Sequence, residues 1–248
     1  MMLNRRINSL RQTASVKLLS GYSSLEGVFQ LGPKEPKLFC IGMQRSGTTS
    51  TGDFCESELR LRRRGYKISN TRGWTRAWYE GRLQDVFDDP VFRSGEVFDD
   101  DPWWCPSVYK ILAERFETTK FVIFTRPADE WFRSLASHSG GRSPGFTDIH
   151  AKIYGRERDF ERVKGNSYRE EDYKWNGLCL SGFEQHYMDV YLRYISGVHN
   201  FFKKNAPDRL LSLRLSDSEK FKKLAVFLGY PEREYPDFGA KRVTSNIL

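Results

Sequence analysis

One stretch constrains the fold more than any other. Phe39 to Thr51 reads FCIGMQRSGTTST: an apolar run stopping at Gly42, a short loop closed by Gly47, and a hydroxyl-rich start to a helical pattern. A buried strand that feeds a glycine loop and then a helix is the repeating unit of a parallel α/β sheet. Its loop presents backbone N–H groups and the positive end of the helix dipole to an anion. Gly42 and Gly47 have the spacing of the nucleoside-triphosphate loop, G-x-x-x-x-G-K followed by Ser or Thr, but Thr48 stands where the lysine belongs.

A triphosphate enzyme also needs a carboxylate-held magnesium and a lysine on the outer phosphates, and neither is evident. What remains is Arg45 inside the loop, a permanent cation able to donate to two oxygens at once, with the hydroxyls of Ser46, Thr48, Thr49 and Ser50 around it. Such a site suits a group smaller and less charged than a magnesium triphosphate, a sulfuryl group bridged to a phosphate being one candidate. The same residues also fit a plain glycine-bearing turn, with Arg45 in a surface salt bridge.

Strands and helices alternate along the rest of the chain. Thr48 to Arg64 reads as a helix ended by Gly65, YKIS (66–69) as a second strand, and Thr75 to Phe87 as a helix. GEVFDDDP carries a short extended piece ending in acids, and Pro106 to Phe116 is helical. KFVIFTR (120–126) is the clearest strand, followed by a helix that opens with a proline and acids in PADEWFRSLASHS. Residues 140–178 are polar, glycine-dotted and aromatic, an excursion over a site. Leu180 to Lys204 forms a long helix and RLLSLRL a strand. DSEKFKKLAVFLG is a last helix, capped by Ser216 or Asp217 and closed by Gly229. The pattern predicts one α/β domain, residues 37–248, with a parallel sheet flanked on both sides, preceded by a basic segment, 1–36.

The net charge of +8 favours anionic partners without choosing among them. The four cysteines, Cys40, Cys55, Cys105 and Cys179, lack the spacing of a zinc site or disulfide framework, so no metal site is expected and a reducing, cytoplasmic setting fits. No apolar run is long enough to cross a bilayer. Arg5, Arg6, Arg11 and Lys17 precede the first acid, Glu26, while Leu3, Ile7, Leu10, Ala14 and Leu18 recur at helical spacing. That fits an organelle-targeting peptide, a surface-lying helix or a frayed basic tail.

Two motifs carry a resemblance. QRSGTTS (44–50) resembles the 5′-phosphosulfate loop of sulfotransferases that use 3′-phosphoadenosine 5′-phosphosulfate (PAPS), particularly relatives of the G-R-T-G-T-T-S type. TRPADEWFRSLASH (125–138) resembles their 3′-phosphate signature, an arginine ending a strand and a serine eight residues later, here Arg126 and Ser134. Residues 194–231 are similar to the family's closing helix, strand and helix. The resemblance implies a three-layer α/β/α, P-loop nucleotide-hydrolase-like fold. It also implies transfer of a sulfuryl group from PAPS to an acceptor hydroxyl or amine, leaving adenosine 3′,5′-bisphosphate, with no metal required. Arg45, Ser46, Gly47, Thr48, Thr49 and Ser50 would hold the phosphosulfate, Arg45 steadying the leaving oxygen, and Arg126 and Ser134 would bind the 3′-phosphate.

A base is also needed, and Glu96, Asp99, Asp100 and Asp101 are the candidates. Asp100 matches a D-x-P in some relatives, and Asp101 stands beside it. Alternation along an extended piece would place Asp99 and Asp101 on one side and Asp100 on the other. Mutual repulsion would raise one pKa. A solvated acidic turn is the plainer alternative. His138 shares a helical face with Ser134; His150, His186 and His199 are weaker rivals. Trp74, Trp78, Trp103, Trp104, Arg142, Tyr154 and Trp175 are candidates to line the mouth, and Lys241 and Arg242 to reach the 3′-phosphate. A P-loop nucleotide or nucleoside kinase, a basic nucleic-acid-binding module and a family member that binds nucleotide without catalysis are the rival readings. The resemblance favours a sulfated nucleotide over nucleic acid as partner.

Overall fold

In the computed structural model, which describes residues 35–142, 148–165 and 178–238, the apolar run before the glycine loop is the middle strand of a five-stranded sheet. The strands are β1 (Leu38–Cys40), β2 (Arg63–Arg64), β3 (Val97–Phe98), β4 (Lys120–Thr125) and β5 (Leu210–Arg214), in the order β2-β3-β1-β4-β5. All pairings are parallel: Leu38 sits opposite both Val97 and Lys120, and β4 runs in register with β5 from Phe121 and Leu210 to Thr125 and Arg214.

Alternate side chains point to opposite faces, so a parallel sheet needs two apolar covers. Phe39, Phe121 and Ile123 face a core shared with Trp103, Leu112, Trp131 and Phe202. Leu38, Cys40, Val122 and Phe124 face a second core with Phe54, Phe221 and Leu224. The three-layer α/β/α arrangement expected from the sequence is the one observed.

The helices are α1 (Thr48–Ser57), α2 (Tyr66–Arg72), α3 (Trp74–Tyr79), α4 (Leu83–Asp88), α5 (Pro90–Arg93), α6 (Val108–Arg115), α7 (Ala128–Ser139), α8 (Asp148–Tyr154), α9 (Glu157–Gly165), α10 (Glu184–Asn205) and α11 (Lys220–Phe227). α1 and α11 cover the second core, while α3 to α7 and α10 cover the first. α8 and α9 lie within the excursion. No helix among the described residues is long and apolar enough to cross a membrane.

Several boundaries differ from the sequence reading. α1 stops at Ser57 instead of running to Arg64, because the chain turns back at Arg60 (φ 56) to make β2. YKIS lies in α2, not in a strand; its helix closes on Gly73, whose N–H donates to Asn70 O. The helix expected over 75–87 is split into α3 and α4 by Gly81 at φ 75. α10 starts at Glu184, not Leu180. Gly229 (φ 86) follows α11 as expected, but neither Ser216 nor Asp217 caps it; the N-cap is Glu219, whose N–H donates to the Asp217 carboxylate at 2.9 Å. The expected N-terminal helix, Trp175, Lys241 and Arg242 lie outside the described residues.

Candidate active site

Because β1 lies between β3 and β4, the segments leaving their carboxyl ends meet: the Gly42–Gly47 loop, Asp99 to Asp101, and Arg126. In a parallel α/β sheet this crevice is where ligands bind. A cavity of ≈ 940 Å³ opens there, lined by Gln44, Arg45, Thr48, Thr49, Asp100 and Asp101, with Asp53, Glu56, Arg63, Gly65, Tyr66, Lys67, Ile68, Trp104, His138 and His150 completing its wall.

Arg45 (φ 67) and Gly47 (φ 78) both adopt left-handed backbone, with Ser46 between them. Alternation of this kind turns successive N–H groups into a concave anion-binding nest at the start of α1. For Arg45 that conformation is strained, at a cost of about 1–3 kcal/mol, and the loop is held in it from behind. The Tyr194 hydroxyl donates to Ile41 O at 2.7 Å, Trp131 Nε1 donates to Gln44 O at 2.9 Å, and the Gln44 amide donates to the Tyr154 hydroxyl. Gly47 is required for space as well as φ, since a Cβ there would come 2.6 Å from Leu215 Cδ1.

Two guanidinium groups converge on this nest. Arg45 Nε donates to Ser134 Oγ at 3.2 Å, joining the loop to α7. Arg126 is fixed through its backbone, which meets the Tyr191 hydroxyl at 3.1 Å (N) and 3.2 Å (O). Its Nη2 approaches Glu130 at 3.5 Å, but its Nε is buried without a partner among the described residues, and the buried Ser46 hydroxyl lies beside the Tyr191 hydroxyl. Burial, and then the nearby Arg126 charge, lower the Arg45 pKa, against the pull of Asp100. A buried guanidinium N–H without a partner, next to a second like charge, is costly unless an anion takes it up.

The acids after β3 do not alternate. Asp100 takes φ 72, and the extended backbone ends there, so Asp100 and Asp101 line the cavity together while Asp99 turns away. Asp99 is fully buried and forked by Arg63, Nε to Oδ1 at 2.7 Å and Nη2 to Oδ2 at 2.6 Å. Asp53 also accepts from Arg63. Glu96 is engaged elsewhere, with Lys37 at 3.1 Å and Arg62 at 3.5 Å.

Asp101 accepts from Thr75 Oγ1 at 3.0 Å. Asp100 Oδ1 accepts from Asp101 N at 3.1 Å and, at 3.5 Å, from Trp104 Nε1. Burial, then the adjacent Asp101, raise Asp100 to about 6. The expected repulsion is present but comes second to burial, and the solvated acidic turn is not what forms.

His138 and His150 reach the cavity wall, and burial lowers both pKa values, His150 to about 4. His186 and His199 do not: they bond to Tyr154 O at 2.7 Å and Ser212 Oγ at 2.8 Å. Of the aromatic candidates among the described residues, Trp74 and Trp103 belong to the core, and only Trp104 reaches the cavity. Trp78 packs against that core near Lys152, Tyr154 backs the loop, and Arg142 pairs by backbone with Cys179. Sequence reasoning missed Asp53, Arg63, Tyr66 and Lys67. Arg63 lies in an arginine-rich run with nothing to single it out, and the other three carry no motif.

Residues 37–242 match the sulfotransferase domain family. Among solved structures, a sulfotransferase from Alicyclobacillus acidocaldarius is 13% identical, with a TM-score of 0.50 over 85% of this chain and 87% of that one. A sulfotransferase domain from the curacin biosynthetic pathway is 12% identical, with a TM-score of 0.47 over 84% and 77%. No curated protein matches the sequence. A parallel sheet with this crevice, together with a family match over most of its length, places the chain in the sulfotransferase domain family.

Proposed function

We propose that the chain transfers a sulfuryl group from PAPS to an acceptor hydroxyl. The observation that carries this is the convergence of Arg45 and Arg126, whose buried Nε has no partner among the described residues, with a buried carboxyl, Asp100, close to Arg45. These residues fit the donor: the nest of residues 45–50 would take its phosphosulfate, and Arg126 with Ser134 its 3′-phosphate. The donor, when bound, supplies a sulfuryl group on a good leaving oxygen.

Asp100 holds the acceptor hydroxyl and takes its proton as the acceptor oxygen bonds to sulfur. The bond from sulfur to the bridging oxygen breaks, and that oxygen leaves with the electron pair on adenosine 3′,5′-bisphosphate. Arg45 and the loop N–H groups stabilise the charge that builds there, which is where most of the acceleration arises.

Calorimetric titration of adenosine 3′,5′-bisphosphate without metal tests the donor site, with Arg126→Ala and magnesium ATP as comparators. Micromolar binding that the variant loses, with ATP weak, is expected. No binding to folded protein sinks the reading, and preference for magnesium ATP replaces it with a kinase.

A further inference from the structure

The cavity extends to a rim made by the second half of α1 and the start of α2, where Asp53, Glu56, Tyr66 and Lys67 line it. Glu56 lies two turns along α1 from Thr48, about 12 Å by helical rise, well beyond the reach of the phosphosulfate nest. At ≈ 940 Å³ the cavity is at the top of the about 300–1,000 Å³ range that holds a drug-sized ligand, more than a phosphosulfate group alone would fill.

The rim mixes donors with acceptors. Glu56 accepts, Lys67 donates, Asp53 is already paired with Arg63, and Tyr66, 53% exposed, lines the cavity. Deeper in, the Asp101 carboxylate accepts and the neutral imidazole of His150 does either. Polar and apolar surface are almost evenly mixed along the wall, Ile68 and Trp104 contributing to the slightly larger apolar share, which suits a ligand with both ring faces and hydroxyls. An apolar alcohol or phenol would bury these polar groups unpaired. An acidic glycan, which the overall charge of +8 would favour, would meet the Glu56 and Asp101 carboxylates at close range. A hydroxyl both donates and accepts, and several on one rigid ring can satisfy both sets.

We propose that this end of the cavity takes a neutral, hydroxyl-rich acceptor, a carbohydrate, laid against Tyr66 with one hydroxyl presented to Asp100. The inference rests on the donor reading above and adds the acceptor class to it.

The test uses the whole chain saturated with adenosine 3′,5′-bisphosphate, titrated with neutral mono- and disaccharides, uronic-acid disaccharides of the same size, and 2-naphthol. Sulfated product from PAPS is scored by mass spectrometry for the same panel. Expected is saturable binding and sulfation of a neutral sugar, weakened roughly tenfold in Tyr66→Ala. Glu56→Lys should move preference toward the uronates, and nucleotide affinity should hold in both variants. Both residues are exposed, so the variants fold.

Nucleotide bound but neutral sugars ignored, or uronate or naphthol preferred by the unmodified chain, overturns this inference alone. So does neutral-sugar binding indifferent to both substitutions. Failure of the nucleotide itself to bind overturns the donor reading, and this one with it.

Discussion

Arg45 on the glycine loop and Ser134 on α7 are 89 positions apart in sequence, yet Arg45 Nε donates to Ser134 Oγ at 3.2 Å. The two motifs that stand out in the sequence therefore meet in space, and the serine orients the loop cation. Arg45→Ala should lower kcat by about 100- to 1,000-fold, the cost of removing one preorganised donor to a developing oxyanion. Arg45→Lys should recover part of this but not all, since an ammonium lacks the planar fork that can hold Ser134 and an oxygen together. Ser134→Ala should raise KM for PAPS more than it lowers kcat. Steady-state kinetics of the three variants with PAPS varied decide it; an undiminished kcat in Arg45→Ala would remove Arg45 from the chemistry.

The environment of Asp100 sets a pH dependence. A base must be ionised, and burial followed by Asp101 raises this carboxyl to about 6, so kcat/KM should climb with pH and level off above that value. Asp100→Asn should abolish that limb and slow turnover by about 100- to 10,000-fold. Asp101→Asn removes the like charge, so the limb should move to lower pH. The linkage runs the other way for stability. A carboxyl raised in the folded state binds more protons than the unfolded chain between its two pKa values, so its contribution declines as pH rises through about 6. Asp100→Asn should therefore be more stable than the parent at pH 8 and gain nothing near pH 3. Rate profiles and denaturant melts at these pH values check both halves.

Asp99, beside the proposed base, has a different role. Its carboxylate is buried and forked by Arg63, which Asp53 also engages, so the ion pair pins β2 to the end of β3. Breaking a buried pair leaves a charge uncompensated and costs about 3–5 kcal/mol, whereas replacing both members with apolar residues costs much less. Asp99→Leu should be severely destabilised in urea, and Asp99→Leu with Arg63→Met should recover much of the loss. If the double variant is as unstable as the single, the pair is not what holds these strands together.

The loop, α1, β4 and α7 were legible because each advertises itself locally: an apolar run, a glycine at fixed spacing, a proline with acids after it. β2 was not, because a two-residue strand of arginines owes nothing to its own hydrophobicity. It forms because Arg63 reaches Asp99 and Arg64 Nη2 reaches Ser94 Oγ at 2.8 Å, partners about thirty residues away. YKIS alternates like a strand, yet its exposed Tyr66 and the turn at Gly73 suit a helix lying on the surface. The same non-local logic hid the rim: the motif residues sit in a recognisable local pattern, while Glu56, Tyr66 and Lys67 meet the cavity only because α1 and α2 both border it. The order of the three aspartates also escaped, because a left-handed Asp100 cancels the alternation that a strand would impose.

Gly52 supplies a last prediction that runs against helix propensity. It lies inside α1, where glycine to alanine ordinarily stabilises by about 1 kcal/mol. A Cβ on this glycine would come 2.3 Å from Arg63 Nε and 2.6 Å from Asp99 Oδ1. The fork has little room to retreat, because Gly65 closes on it from β2, where a Cβ would already stand 2.9 Å from the same two atoms. Gly52→Ala should therefore destabilise the protein, and the strain should displace the end of β3 that carries Asp100, lowering kcat while nucleotide affinity changes little. Adding Arg63→Ser gives the new methyl room at the cost of the ion pair. The double variant should then lose less stability than the sum of the two single losses. Urea melts of the three variants with the parent complete the cycle, and a Gly52→Ala protein as stable as the parent would show that the fork is looser than its contacts imply.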